Sequence, residues 1–151
     1  NELSKASGAT GMVGGQMLDL DAEKKRLNLS EILMLQKLKT GELFRFSCVA
    51  GPILSEQKNL KNFEEFANNL GLAFQIKDDL LDIEGDEKQM GKKTKKDLSR
   101  GKETLISFLG KEDAKKRSED LIHNSKKILK SYGKRANRII DLTNFVISRN
   151  N

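Results

Sequence analysis

Apolar residues recur at intervals of three and four along most of the chain, and no stretch alternates with the two-residue period of a half-buried strand. Residues 3–20 read as a helix that tolerates glycine at positions 8, 11, 14 and 15. A helical glycine costs about 1 kcal/mol against alanine, so four of them call for a reason, such as close helix packing or backbone approach to a ligand. Asn28 followed by Glu31 has the spacing of a capping box. It opens a helix that Ile32, Leu35, Leu38, Leu43 and Phe46 carry to about Ala50, where Gly51-Pro52 ends it. A long helix follows from about Ser55 to Ile83, with Leu60, Phe63, Phe66, Ala67, Leu70 and Phe74 at helical spacing, and Gly85-Asp86 breaks it. Residues 85–102 lack apolar periodicity and read as a loop. Lys102 to Leu109 is a short helix. Two more complete the chain: Ala114 to Tyr132, with Leu121, Ile122, Ile128 and Leu129 inward, and Ala136 to Ser148, with Ile139, Leu142, Phe145 and Val146 inward. The expectation is one all-α unit without repeat or linker.

Composition agrees. The chain has 151 residues, enough to bury a core, with 36% hydrophobic and 33% charged residues. Its net charge of +6 is concentrated between Lys111 and Arg138, where ten Lys/Arg face four Asp/Glu. These cations are interleaved with acids and apolar positions, which favours a solvated helix face over a nucleic-acid surface. The single cysteine, Cys48, rules out an internal disulfide and fits a reducing, cytoplasmic compartment. No run is long enough to span a bilayer. The chain starts at Asn1 inside a patterned segment, so further sequence is expected upstream.

Chemistry concentrates in Gly71-Leu-Ala-Phe-Gln-Ile-Lys-Asp-Asp-Leu-Leu-Asp82. Asp78 and Asp82 are four apart and share a helix face, Asp79 lies a step round, and Phe74 and Gln75 sit one turn before. Stacked like charges destabilise a bare helix, and a hard divalent cation such as Mg2+ reverses that penalty. An isolated Asp-Asp-x-x-Asp is as readily an acidic patch. The uncharged runs Leu72–Ile76 and Leu80-Leu81 favour burial and so the metal. Seven Lys/Arg follow between Lys88 and Lys102, among them Lys92, Lys93, Lys95 and Lys96. Cations beside a metal-binding helix suit a diphosphate. A P-loop is excluded, since the glycine spacing is one residue too long and Lys93 stands where Ser/Thr is needed. Upstream, Gln16 and Asp19 lie one turn apart, and Lys39-Thr40-Gly41 interrupts an apolar helix.

Taken in order, Gly-Gln-x-x-Asp, Lys-Thr-Gly, Gly-x-x-Phe-Gln-x-x-Asp-Asp-x-x-Asp and Gly-Lys…Gly-Lys-x-Thr resemble the trans-prenyl diphosphate synthases, bacterial farnesyl and geranylgeranyl types above all. The resemblance runs from Gly11 to Arg149 and implies the C-terminal half of an antiparallel helix bundle of the isoprenoid synthase type. It implies that Asp78, Asp79 and Asp82 bind Mg2+, with Asp78 a direct ligand. Lys39, Lys92 and Lys102 match the lysines that hold an allylic diphosphate, with Thr40 and Gln16 nearby. Phe74 and Gln75 match the floor of the pocket where the two substrates meet, Asp19 a network acid, and Arg149 a basic tail near the isopentenyl site. The implied reaction is ionisation of an allylic diphosphate, attack by isopentenyl diphosphate and loss of a proton. A homodimer of the full-length protein is also implied.

The family's first aspartate-rich motif and the arginines and lysine that bind its isopentenyl diphosphate have no match here, so this chain by itself is expected to be inactive. A non-catalytic helical subunit is the alternative, and retention of all three aspartates argues against it. Asp120-x-x-His123 has the spacing of half a di-iron site, but this is the chain's single histidine. Residues 86–101 are expected to move without ligand and to close when diphosphate binds.

Overall fold

A computed structural model describes residues 1–90 and 104–149, with side chains through Gly85 and again from Thr104. Its elements are α1 (Glu2–Ser7), α2 (Met12–Ala22), α3 (Leu29–Gln36), a π-helical turn (Lys37–Gly41), α4 (Glu42–Leu54), α5 (Lys61–Met90), α6 (Leu105–Leu109), α7 (Lys111–Lys130), a 3-10 turn (Gly133–Ala136) and α8 (Asn137–Ser148). There is no strand among the described residues.

The central element is α5. Phe66, Leu70, Ala73, Ile76 and Leu80 form one buried stripe along it. Leu105 and Ile106 of α6, Leu121, Ile122 and Leu129 of α7 and Val146 of α8 pack in the same core. Ser118 of α7 donates to the Ala73 carbonyl at 3.4 Å, so α7 follows α5 closely. A smaller core gathers Ala22, Leu27 and Ile32 where α2 meets α3. The capping box forms: Glu31 N donates to Asn28 Oδ1 at 3.0 Å, and Asn28 N donates to Glu31 Oε2 at 2.9 Å.

Five expectations are corrected. First, the glycine-rich segment is two helices, broken between Ser7 and Met12. A methyl group on Gly11 would stand 2.1 Å from the Ala6 carbonyl oxygen, so the break is a backbone turn that only glycine fits. Second, the helix from Asn28 carries a π turn over Lys37–Gly41. Third, Gly51-Pro52 does not stop α4, which runs to Leu54 with Pro52 inside its last turn. Gly51 has no Cβ for the proline ring to strike, which relieves the usual pre-proline penalty on helical backbone. Fourth, α5 passes Gly85-Asp86 and reaches Met90. A Cβ on Gly85 would meet nothing within 4 Å, and one such glycine weakens a long helix without ending it. The expected closing loop lies, from residue 91 on, outside the described residues, as do Lys92 and Lys102. Fifth, α8 turns Thr143 and Val146 inward, while Ile139, Leu142 and Phe145 are exposed, Phe145 by 59%. That helix is apolar on two faces, and the periodicity alone could not say which one the core takes.

Candidate functional site

Lys39 and Thr40 fall inside the π turn. An extra residue in a helical turn re-aims the side chains that follow, and such turns concentrate at functional sites. The turn is held by α2. A Cβ on Gly15 would stand 2.2 Å from Lys39 N and 2.5 Å from Lys39 Cα, so the two backbones touch. One helical turn further, buried Asp19 accepts from Lys39 Nζ at 2.6 Å. Gln16 is exposed beside this pair and Thr40 is half-buried.

Helices α4 and α5 run antiparallel. Arg45 pairs with Glu64 at 3.6 Å near the start of α5. Gly41, a turn earlier, lies in van der Waals reach of Gly71, two turns later. The stretches before Gly41 and after Gly71, namely Lys39-Thr40 and Phe74–Asp78, therefore lie toward the same end of the helix pair. Phe44 and Phe74 join them, with ring centroids 5.4 Å apart. Arg45 also bonds Glu42 at 2.9 Å and reaches Glu2 of α1 at 3.6 Å. That acidic clasp ties α1, α4 and α5 together and had no signature in the residue pattern.

Arg149 also sits against Phe74. Its guanidinium lies 4.0 Å from the centre of the Phe74 ring, and Nη2 donates to the Phe74 carbonyl at 3.2 Å. The same nitrogen donates to Asp78 Oδ1. So the structure brings together Phe74, Asp78 and Arg149, which the sequence spreads over 75 positions. Asp79 is different. Its Oδ2 is buried and accepts no hydrogen bond. Burial above all, with the neighbouring Asp82 and Asp78 charges, pushes its carboxyl up to about 6. Asp82 is exposed and Gln75 half-buried. Among the described residues no three His, Cys, Asp or Glu side chains gather around one ion position. Asp78, Asp79 and Asp82 nevertheless lie within one turn and a half of α5, and the orphaned buried Oδ2 of Asp79 is an oxygen whose ionisation a divalent cation would favour.

A cavity of about 840 Å3 opens between α4, α5, α7 and α8, lined by Leu43, Phe44, Phe63, Phe66, Leu142 and others, mostly apolar. Cys48 lines it too, and burial pushes its thiol up to about 11.

An all-α bundle with a Lys-Thr turn and an aspartate-bearing central helix at one end is the architecture of the isoprenoid synthase class. The chain matches the polyprenyl synthetase family model over residues 4–142 and belongs to that family. It is 37% identical to the farnesyl diphosphate synthase of Escherichia coli over 99% of this chain and 52% of that protein. To the farnesyl diphosphate synthase of Bacillus subtilis it is 33% identical, over 99% of this chain and 51% of that protein. Among solved structures, an FPP/GFPP synthase from Zymomonas mobilis superposes with a TM-score of 0.84 at 37% identity, covering 96% of this chain and 48% of that one. A geranyltransferase from Helicobacter pylori, solved with magnesium and isoprenyl diphosphate, gives a TM-score of 0.70 at 29% identity, over 97% of this chain and 48% of that one. The chain thus spans about half the length of the relatives it matches.

Proposed function

We propose that this chain supplies the allylic-diphosphate side of a Mg2+-dependent prenyltransferase, which condenses an allylic diphosphate with isopentenyl diphosphate. The observation that carries this reading is the convergence of the Lys39-Thr40 turn and the Phe74–Asp82 stretch of α5 on one end of an antiparallel helix pair. Asp78, Asp79 and Asp82 would hold Mg2+, which when bound neutralises charge developing on the departing diphosphate. Lys39 binds diphosphate oxygens as a fixed ammonium, and Thr40 adds a hydroxyl donor; Lys92 and Lys102, outside the described residues, join as further cations. Gln16 lies at the rim of the Lys39 site. Phe74 and Gln75 floor the place where the two hydrocarbons meet, and the apolar residues around them keep water from the carbocation. Arg149 belongs to the isopentenyl side. Its seat on Phe74 and Asp78 supports a role for this cation at the border of the two substrate positions.

On this reading the chain alone is silent in turnover, because the first aspartate-rich motif and the arginines and lysine that bind isopentenyl diphosphate in the family have no counterpart in it. The full-length protein would work as a homodimer, and the exposed apolar positions Val13, Met17 and Leu20 of α2 fit burial against further protein. No helix among the described residues is long and apolar enough to cross a membrane. The reading is tested by titrating the chain with geranyl diphosphate in a calorimeter, with and without Mg2+. Binding that requires Mg2+ and is lost in Asp78→Ala supports it. Binding indifferent to Mg2+ or to Asp78 contradicts it.

A further inference from the structure

Helix α2 turns Gly15, Asp19 and Ala22 inward, spaced four and three apart on one face. Two of these three touch the same residue. Gly15 meets the backbone of Lys39: an added Cβ would lie 2.2 Å from its N, 2.5 Å from its Cα and 2.7 Å from the carbonyl carbon of Leu38. All three neighbours are main chain, so no side chain can swing aside. Asp19, with its side chain 10% exposed, accepts from Lys39 Nζ at 2.6 Å, while the Lys39 side chain keeps 36% exposure. Lys39 is therefore gripped at both ends, backbone and ammonium, by one face of one helix.

This arrangement matters because a lysine stem is long and loosely held by nature. When a free lysine captures an anion it loses much of its rotamer freedom, and that loss weakens binding. An anchored ammonium has already lost it. The ammonium carries three N–H donors, so the one engaged by Asp19 leaves two for an anion. The π turn adds to the need for a clamp, since its backbone is less regular than an α-helix and would otherwise be free to relax.

We propose that Asp19 and Gly15 are positioning residues that set Lys39 for a diphosphate, Asp19 by holding the ammonium and Gly15 by admitting the turn against α2. The proposal rests on the reading of Lys39 as a diphosphate ligand, and adds that its competence depends on α2.

The test is a pair of mutant cycles read by calorimetry on the whole chain, with sodium pyrophosphate as the probe in Mg2+ buffer and circular dichroism to confirm helical content. Asp19→Asn is close in size and should weaken pyrophosphate about tenfold, the scale of one charge-assisted hydrogen bond. In a Lys39→Met background the same change should do nothing further, because its route is gone. Gly15→Ala leaves every charge in place and should behave in the same way, weakening the probe only while Lys39 is present. If either change weakens binding equally with and without Lys39, or leaves the wild-type affinity intact, the positioning role is overturned. If the unmodified chain fails to bind pyrophosphate at all, the diphosphate reading falls, and this inference with it.

Discussion

The guanidinium of Arg149 lies 4.0 Å from the centre of the Phe74 ring while its Nη2 bonds the Phe74 carbonyl at 3.2 Å and also Asp78. One side chain from the end of α8 thereby stacks on, bonds to and neutralises three groups in a single turn of α5. Arginine suits this because its planar cation can stack and donate at once, which an ammonium cannot. Arg149→Ala should lower stability by about 1–2 kcal/mol, combining the stacking with a partly buried charged hydrogen bond. Arg149→Lys should recover less than half of that. Urea unfolding followed by circular dichroism checks it; full rescue by lysine would show that charge alone matters.

Gly15 and Gly85 make a matched pair. Both are helical, yet a Cβ on Gly15 strikes the Lys39 backbone at 2.2 Å and one on Gly85 meets nothing within 4 Å. Gly15→Ala should cost about 2 kcal/mol or more, by forcing α2 off the π turn. Gly85→Ala should be neutral or stabilise by up to about 1 kcal/mol through helix propensity. Equal midpoints for the two variants in thermal unfolding would refute the close approach.

The carboxyl of Asp79 is raised in the fold from 3.8 to about 6, chiefly by burial. The native state thus binds its proton more tightly than the unfolded chain. The sign follows: stability from this group is greatest below about pH 4, declines as the pH rises through the window from 3.8 to about 6, and stays low above it. Asp79→Asn removes the cost. In metal-free buffer at pH 7.5 it should gain about 1–2 kcal/mol, discounted for partial solvent screening. At pH 4 the gain should nearly vanish. A gain of the same size at both pH values would contradict burial as the cause.

Cys48 lines the apolar cavity, and burial holds its thiol at about 11. The thiolate is the reactive form. At pH 8 Cys48 should react with a disulfide reagent at least about tenfold more slowly in the folded chain than in urea. A rate equal to that of the unfolded chain would mean that Cys48 is open to solvent and ionises normally.

Most of the helices and the family were legible in the residues. The apolar positions Phe63, Phe66, Ala67, Leu70 and Phe74 announce α5 because a helix buried on one side repeats its apolar positions every three or four residues. The Asn28–Glu31 box announces α3 because capping is local chemistry. What escaped was set by tertiary contact. The π turn at Lys37–Gly41 depends on Gly15, more than twenty positions away. The run of α4 past Pro52 depends on the missing Cβ of Gly51, which the pattern Gly-Pro presents equally well as a stop. Val146 was read correctly, but the inward placing of Ile139, Leu142 and Phe145 came from a helix with two apolar sides, where only packing on α5 and α7 selects Thr143 and Val146. The aspartates were read as a metal set from their spacing, but the seat of Arg149 on Asp78 could not be, because nothing local links positions 78 and 149.

On the proposed function, this chain carries one working half of a prenyl transfer site, with Asp78 at its centre. The most direct measurement joins the chain to the amino-terminal half of the Escherichia coli relative and follows labelled isopentenyl diphosphate into a geranyl primer in Mg2+ buffer, using fusions shown to be soluble and helical. The account predicts product from the fusion and none from the chain alone. It predicts that Asp78→Ala lowers kcat at least about a hundredfold, the scale of losing one group that stabilises transition-state charge, and that Asp82→Ala costs far less. Turnover by the isolated chain at the rate of the fusion, or a fusion indifferent to Asp78→Ala, would contradict it.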